Sequence, residues 1–423
     1  MRHLKRTYKR FREINILVFS IFLFFTVSKA DEKQPVIISG DNAKTKLVVN
    51  ESGEKIYLTE LTGHPLIKTD NKEIRTDKII IRGNNGEIVE AHGNVLLTDK
   101  AKGTGISAAK AILHKEKQII KFFGNPSAVL IREDDKSAVN IQSETMKYDI
   151  ENNVAEAEGK VKLKNNDLYV FSGKAVFKRD EKTAIFTGNP EIRKEDDIFN
   201  AEEITYYTDK KIIILNKNAS VKTYSEEKDK NNNRVIKILT KASGDRIEHY
   251  SGSEPRTIVT GNALIEREDS VSTGNRFEMT GAKGKEYLTG LNVHINYKSE
   301  NIEAFGEHLK SNRNDGYSVL WGEASIIIKN ESGEEASRIY GDHVEHYSDT
   351  DELYISGNVN IVQDEGIIKG DIARYDRRNY FLTVTGNARI ENDKSIVLTQ
   401  AITINTKNKE TKLLGDIRGR GIN

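Results

Sequence analysis

The sequence predicts an all-β fold made of a tandem repeat with a period of about 29 residues. Three observations predict it. A short phrase centred on glycine, most often Gly-Asn, returns a dozen times along the chain. Each copy sits in alternating apolar and polar runs of 8–12 residues, separated by polar turns such as Asp376–Asn379 and Asn392–Lys394. No 12-residue stretch beyond residue 30 carries a helical period.

The phrase reads LTGHPLI at Leu61–Ile67, AHGNVLL at Ala91–Leu97, FFGNPSA at Phe122–Ala128, AEGKVKL at Ala157–Leu163 and FTGNPEI at Phe186–Ile192. It returns as VTGNALI at Val259–Ile265, LTGLNVHI from Leu288, LWGEASI from Leu320, ISGNVNI from Ile355, VTGNARI from Val384 and LLGDI from Leu413. A degenerate copy at Leu215–Val221 has Lys217 in the glycine's place. Five gaps between successive anchors are 29 residues, five are 30–35, and one is 44.

A glycine within a strand marks a bend, a bulge or a close backbone approach. At one fixed place per repeat it folds every rung at the same corner. This predicts V-shaped rungs stacked into an elongated jelly-roll or solenoid-like body. Gly93, Gly124, Gly159, Gly188, Gly261, Gly290, Gly322, Gly357 and Gly386 are the predicted rung corners. Strand side chains alternate, so the positions two and four after a corner share a face. They give the pairs Val95 and Leu97, Val161 and Leu163, and Val359 and Ile361; Ile192, Val221, Ile265, Ile326 and Ile390 hold the same fourth position in other copies. The intervening residues, such as Lys160, Lys162, Glu191, Arg193, Asn360 and Arg389, are polar. The copy at Leu288 is out of register, with its apolar pair Val293 and Ile295 one residue late. An aromatic residue recurs 10 or 11 positions before the anchor (Tyr148, Phe177, Tyr207, Tyr250, Tyr347, Tyr375) and reads as packing.

Composition agrees with a thin core. Charged residues make up 30% of the 423 positions and hydrophobic residues 37%, polar for one large globular core. A net charge of +1 with only five prolines argues against disorder. The absence of cysteine excludes disulfides, thiolate metal sites, a cysteine nucleophile and a lipid-modified N-terminal cysteine.

Residues 1–30 read as a signal peptide: a basic region from Arg2 to Arg12, an apolar run from Ile14 to Val27, then Ser28-Lys29-Ala30. The run is shorter than the roughly 20 residues a membrane span needs. Cleavage after Ala30 is expected, with retention as an inner-membrane anchor the alternative. Export leaves 58 basic and 63 acidic residues, so no basic face invites nucleic acid. The 44-residue gap holds the polar stretch Glu226–Arg234. It predicts a loop or hinge at 224–240 between two repeat units, 31–223 and 241–423.

No catalytic, metal or cofactor constellation emerges, and the chain reads as a non-enzyme. His343 and His346 stand three apart, on opposite faces of a strand, which does not suit zinc. Neither a G-x-S-x-G elbow nor a phosphate loop is present. Asp229–Arg234 lacks the glycine and terminal glutamate of a calcium loop.

The phrase Tyr347…Gly357-Asn-Val-Asn-Ile361, with Gly370-Asp-Ile-Ala-Arg-Tyr-Asp376 before its next copy, resembles the OstA-like (LptA-type) family of lipopolysaccharide-transport proteins over about residues 60–418. The resemblance implies a periplasmic β jelly roll with a V-shaped section. It implies stacking on other OstA-like proteins by end-to-end strand pairing, between inner- and outer-membrane transport machinery. It also implies that lipopolysaccharide or a related lipid lays its acyl chains along the apolar positions named above, making them a groove. Periodicity alone leaves a second reading: a structural or adhesive envelope solenoid whose core is filled by those side chains and which carries no lipid.

Overall fold

The computed structural model describes residues 37–421 except 69–70, 101–102, 132–137, 167, 208, 229–234, 251–255, 269, 283–284, 299–300, 313–315, 331, 348–349, 364–365 and 409. The predicted leader lies outside the described residues. Among the described residues every regular element is a strand, and the pairings given for them are antiparallel. The described residues form two compact units, 37–221 and 222–421.

In the C-terminal unit most rungs are long strands that run unbroken through the corner, among them Lys285–Tyr297, Ile302–Asn312, Tyr317–Lys329, Glu335–Tyr347, Glu352–Gln363 and Gly366–Asp376, whereas the rung at Gly386 splits into Phe381–Thr385 and Arg389–Glu391 without a proline. Consecutive strands of this series pair with one another. At the corner the register shifts. Ser356 faces Ile372 and Val359 faces Gly370, so Gly357 and Asn358 together oppose Asp371 alone. This is a β-bulge, and the extra residue bends the strand.

Both bulge residues are left-handed, with φ of 76° at Gly357 and 51° at Asn358, a region costly for most L-residues. A carboxylate from the preceding strand explains why glycine comes first. A Cβ on Gly357 would sit 2.2 Å from Asp342 Oδ2. The same carboxylate accepts a hydrogen bond from Asn358 Nδ2 at 3.1 Å. Asp371 repeats this at Gly386-Asn387 (2.9 Å) and Asp77 at Gly93-Asn94 (2.9 Å). Glu144 does so at Gly159, pairing with Lys160 at 3.0 Å. Each acid stands 15 or 16 residues before its glycine. The degenerate copy makes the same corner without glycine: Lys217 and Asn218 have φ of 59° and 50°, and Asn218 Nδ2 donates to Glu202 Oε1 at 2.7 Å.

Gly290 is not a corner, a correction to the sequence reading. Its copy is one residue short, with no bulge: Leu291 pairs with His308 and Val293 with Gly306. Asn292 alone is left-handed, at φ 51°. Gly290 lies in the strand opposite Phe277. It is a glycine for another reason, since a Cβ there would sit 2.9 Å from Phe277 Cε1 and 2.6 Å from Val293 Cγ2.

In the N-terminal unit Pro65, Pro126 and Pro190 follow the corner pairs Gly63-His64, Gly124-Asn125 and Gly188-Asn189. There the rung splits in two: Lys55–Thr62 and Leu66–Lys68, Ile119–Phe123 and Ser127–Ile131, Thr183–Thr187 and Glu191–Lys194. Proline has no N–H to continue the ladder. Rungs with valine at that place, Ile88–Asp99 and Val154–Asn165, stay whole.

Strands cover most of the predicted loop at 224–240. Strands occupy Ile212–Lys228 and Val235–Tyr250, and 229–234 lies outside the described residues. The β-branched run from Val235 to Thr240 continues the strand pattern despite its charged neighbours.

Replacing Gly357 with alanine imposes a left-handed L-residue and a clash with Asp342, and is expected to cost about 2–3 kcal/mol. Lys217→Gly removes the same penalty less glycine's chain entropy, a gain of about 0.5–1 kcal/mol. Urea unfolding midpoints measure both.

Candidate functional site

The bend folds each rung so that its two halves belong to two leaves. In the N-terminal unit, Phe122, Met146, Ala157, Ala175, Phe186, Ile204 and Leu215 pair successively across strands in one leaf. In the other, Leu97, Ile106, Ala128, Ile141, Leu163, Val170, Ile192 and Phe199 do so. The leaves face each other, because Phe122, Met146 and Phe177 of one and Ala128, Leu130 and Ile141 of the other line a single gap.

The C-terminal unit repeats the plan. One leaf carries Ile247, Val259, Phe277, Gly290, Leu309, Leu320, Val344, Ile355, Ala373 and Val384 in one row. The other carries Ile265, Ser272, Ile295, Ala304, Ile326, Ile339, Ile361, Ile368 and Ile390.

The sequence-predicted apolar positions are thus brought together within each unit. Leu97, Leu163 and Ile192 share one row, and Ile265, Ile326, Ile361 and Ile390 another. Val95, Val161 and Val359 stand two residues nearer the corner. Val161, Leu163, Ile326 and Ile361 are almost fully buried, Val221 also counts among the buried residues, and Leu97 and Ile390 are half-buried. Corner asparagines such as Asn94, Asn358 and Asn387 face water. Sequence reasoning missed the opposing row, two residues before each corner, although the same alternation carries it: Phe122, Phe186, Leu320, Ile355. It also missed the inner glycines Gly341 and Gly370, where a Cβ would meet Ile355 and Val384 at 2.4 and 2.5 Å. Among the recurring aromatics, Tyr148, Phe177 and Tyr375 are buried, whereas Tyr347 is exposed and packs on Tyr317 and Tyr354.

The interior is tightly filled. The gap between the leaves of the N-terminal unit has a cavity volume of about 20 Å³, room for a water molecule. The outer faces are polar ladders. Glu90 takes Arg82, Lys110 and His92 at 2.8, 3.0 and 2.9 Å; Glu156 takes Lys147 and Lys174 at 2.9 and 3.1 Å. Among the described residues no cluster of three His, Asp or Glu could hold a metal ion.

A corner-folded, antiparallel β repeat with an apolar interior defines a β-jelly-roll repeat protein. Two family models match the chain. The LptA/(LptD N-terminal domain) LPS transport protein model matches residues 140–235 and 169–285, and a lipopolysaccharide-assembly, LptC-related model matches residues 94–184. Together the matches cover residues 94–285 and support an OstA-like lipopolysaccharide-transport family member. Similar solved structures include LptH, the LptA-homologous periplasmic component of the lipopolysaccharide transport device of Pseudomonas aeruginosa. It is 11% identical, over 49% of this chain and 96% of that one, with a TM-score of 0.19. No curated protein sequence matches the chain.

Two groups predict the acid response. Burial raises the Glu90 pKa, but hydrogen bonds from Lys110, Arg82 and His92 outweigh it and bring it down to about 2. Burial pushes His249 down to about 3. Both are lowered relative to the unfolded chain, so stability present at neutral pH declines on acidification. The His249 part goes between its ordinary 6.5 and about 3, the Glu90 part between 4.5 and about 2. Urea midpoints are expected to fall across these windows, and Glu90→Gln to flatten the lower one.

Proposed function

We propose that this chain is a periplasmic carrier of lipopolysaccharide or a related lipid, moving it toward the outer membrane with the acyl chains held between the two leaves. The supporting observation is the pair of largely apolar rows that face each other in each unit under a polar exterior, broken in the C-terminal unit only by Ser272 and Gly290. Every rung then offers similar burial, at about 0.8 kcal/mol per CH₂, so a chain can shift from rung to rung without a deep trap. The water-sized gap means that the leaves part to admit lipid. Neither a phosphate loop nor another nucleotide motif is present, so other machinery supplies the push. The apolar run at Ile14–Val27 supports export by an N-terminal signal.

The terminal strands support strand pairing with other OstA-like proteins. Asn42–Val49 pairs with Lys55–Thr62, and Thr411–Leu414 with Ala401–Asn405. Leu47 and Val49 at one end and Leu414 at the other are exposed. Such edges accept an added strand.

The filled interior favours a second reading, an envelope solenoid without cargo. Photo-crosslinking residues at Ile361 and at half-buried Ile390 are expected to capture lipopolysaccharide in cells, while residues at outward Asn360 and Arg389 do not. Equal labelling of both sets, or none at either, leaves the solenoid reading standing.

A further inference from the structure

The apolar interior of the C-terminal unit has a charged end. A gap of about 20 Å³ is lined by Ile295 and Ile326 of one leaf and by Leu309 and Leu320 of the other, and is closed on its polar side by Tyr297, His346 and Arg377. Tyr297 ends the strand Lys285–Tyr297, His346 is next to last in Glu335–Tyr347, and Arg377 follows Gly366–Asp376. All three therefore stand at strand ends, away from the corners. Here the leaves touch: the rings of Tyr297 and His346 are 6.3 Å apart. The Arg377 guanidinium lies 5.8 Å from the Tyr297 ring centroid, and its Nη1 donates to His346 Nε2 at 3.3 Å.

Arg377 is a buried cation beside an oily interior. Its side chain is 8% exposed, and its ion pair with Asp351, itself 36% exposed, spans 3.4 Å. Burial also holds the guanidinium below its ordinary range. A charge-assisted hydrogen bond prefers about 2.7–2.9 Å, so a phosphate or carboxylate in close contact competes with Asp351 for this group. The gap in the N-terminal unit has no such inward group: Lys147 and Glu156 at its wall alternate with the inward Met146, Ala155 and Ala157 and pair with each other on the outer face at 2.9 Å.

We propose that Arg377, with His346 and Tyr297, is the head-group site for an anionic single- or multi-chain amphiphile whose acyl chain lies between the leaves of the C-terminal unit. The proposal rests on the carrier reading above and adds which lipids that interior selects. A chain entering from the strand ends must separate Tyr297 from His346 and Arg377. The separated leaves leave the guanidinium at the entrance, lining the same gap as the first aliphatic residues. A neutral head would displace contacts of a buried charge without replacing them.

Dodecyl phosphate and dodecyl maltoside, both below their micelle concentrations, test this on the full chain by titration calorimetry. The wild type is expected to prefer the phosphate by about tenfold. Arg377→Met removes that preference and leaves maltoside binding in place, Arg377→Lys keeps part of it, and Asp351→Asn strengthens dodecyl phosphate binding. The gain from Asp351→Asn guards against a merely misfolded Arg377 variant. Equal affinity for both amphiphiles, unchanged in Arg377→Met, overturns the head-group site while the carrier reading stands. Competition by inorganic phosphate as strong as that by dodecyl phosphate also overturns it, since the site would then recognise an anion without a chain. Binding of neither amphiphile to the wild type overturns the carrier reading, and this site with it.

Discussion

Where Gly357 and Asn358 turn left-handed beneath the Asp342 carboxylate, a strand leaves one leaf and enters the other. The bulge supplies the bend, and the carboxylate fixes the asparagine amide at 3.1 Å. The missing Cβ lets the two strands approach. On the inner side of the same bend, Gly341 and Gly370 leave space for Ile355 and Val384. A strand of ordinary residues would continue flat, and its aliphatic face would need a second sheet to cover it. Here each strand covers its own face, and stacking the rungs turns single side chains into rows. The interior is a consequence of the corner.

Much of this plan is legible in the sequence because it repeats. The glycine anchors locate the bends, and the alternation after each one locates Leu163, Ile192, Ile326 and Ile361 on the buried side. What escapes is of two kinds. The acids opposite the corners act across strands, and a residue 15 positions away carries no local sign that it covers a glycine. The copy at Leu288 fails for a different reason. Its glycine lies in the right neighbourhood, but the residue that matches the other corners is Asn292, and one missing residue shifts the frame. Aligning on asparagine would have found the corner. The late pair Val293 and Ile295, visible in the sequence and buried in the fold, already records the slip. Near 224–240 the charged run drew attention away from the β-branched residues beside it.

The two surfaces of a rung are built on different physics. Outside, carboxylates such as Glu90 and Glu156 sit between cations on neighbouring strands. These half-buried pairs fix cross-strand register and keep the face wet. Inside, Phe186, Leu163, Ile326 and Ile361 have lost nearly all contact with water, and their packing supplies most of the cohesion. The proposed cargo would therefore compete with the leaves for the same surface, because an acyl chain must replace contacts that the leaves already make with each other.

The prolines give the N-terminal unit a different crease. At Pro65, Pro126 and Pro190 the ring removes an amide donor just past the bend, and separate short strands stand on either side. At Gly322 and Gly357 in the C-terminal unit an unbroken strand runs through. A stitched crease resists opening, since changing its angle strains a continuous ladder. An unstitched crease can widen like a paper fold already scored. The stiffness of the crease thus varies from rung to rung, scored at Gly124, Gly188 and Gly386 and stitched at Gly93, Gly159, Gly322 and Gly357.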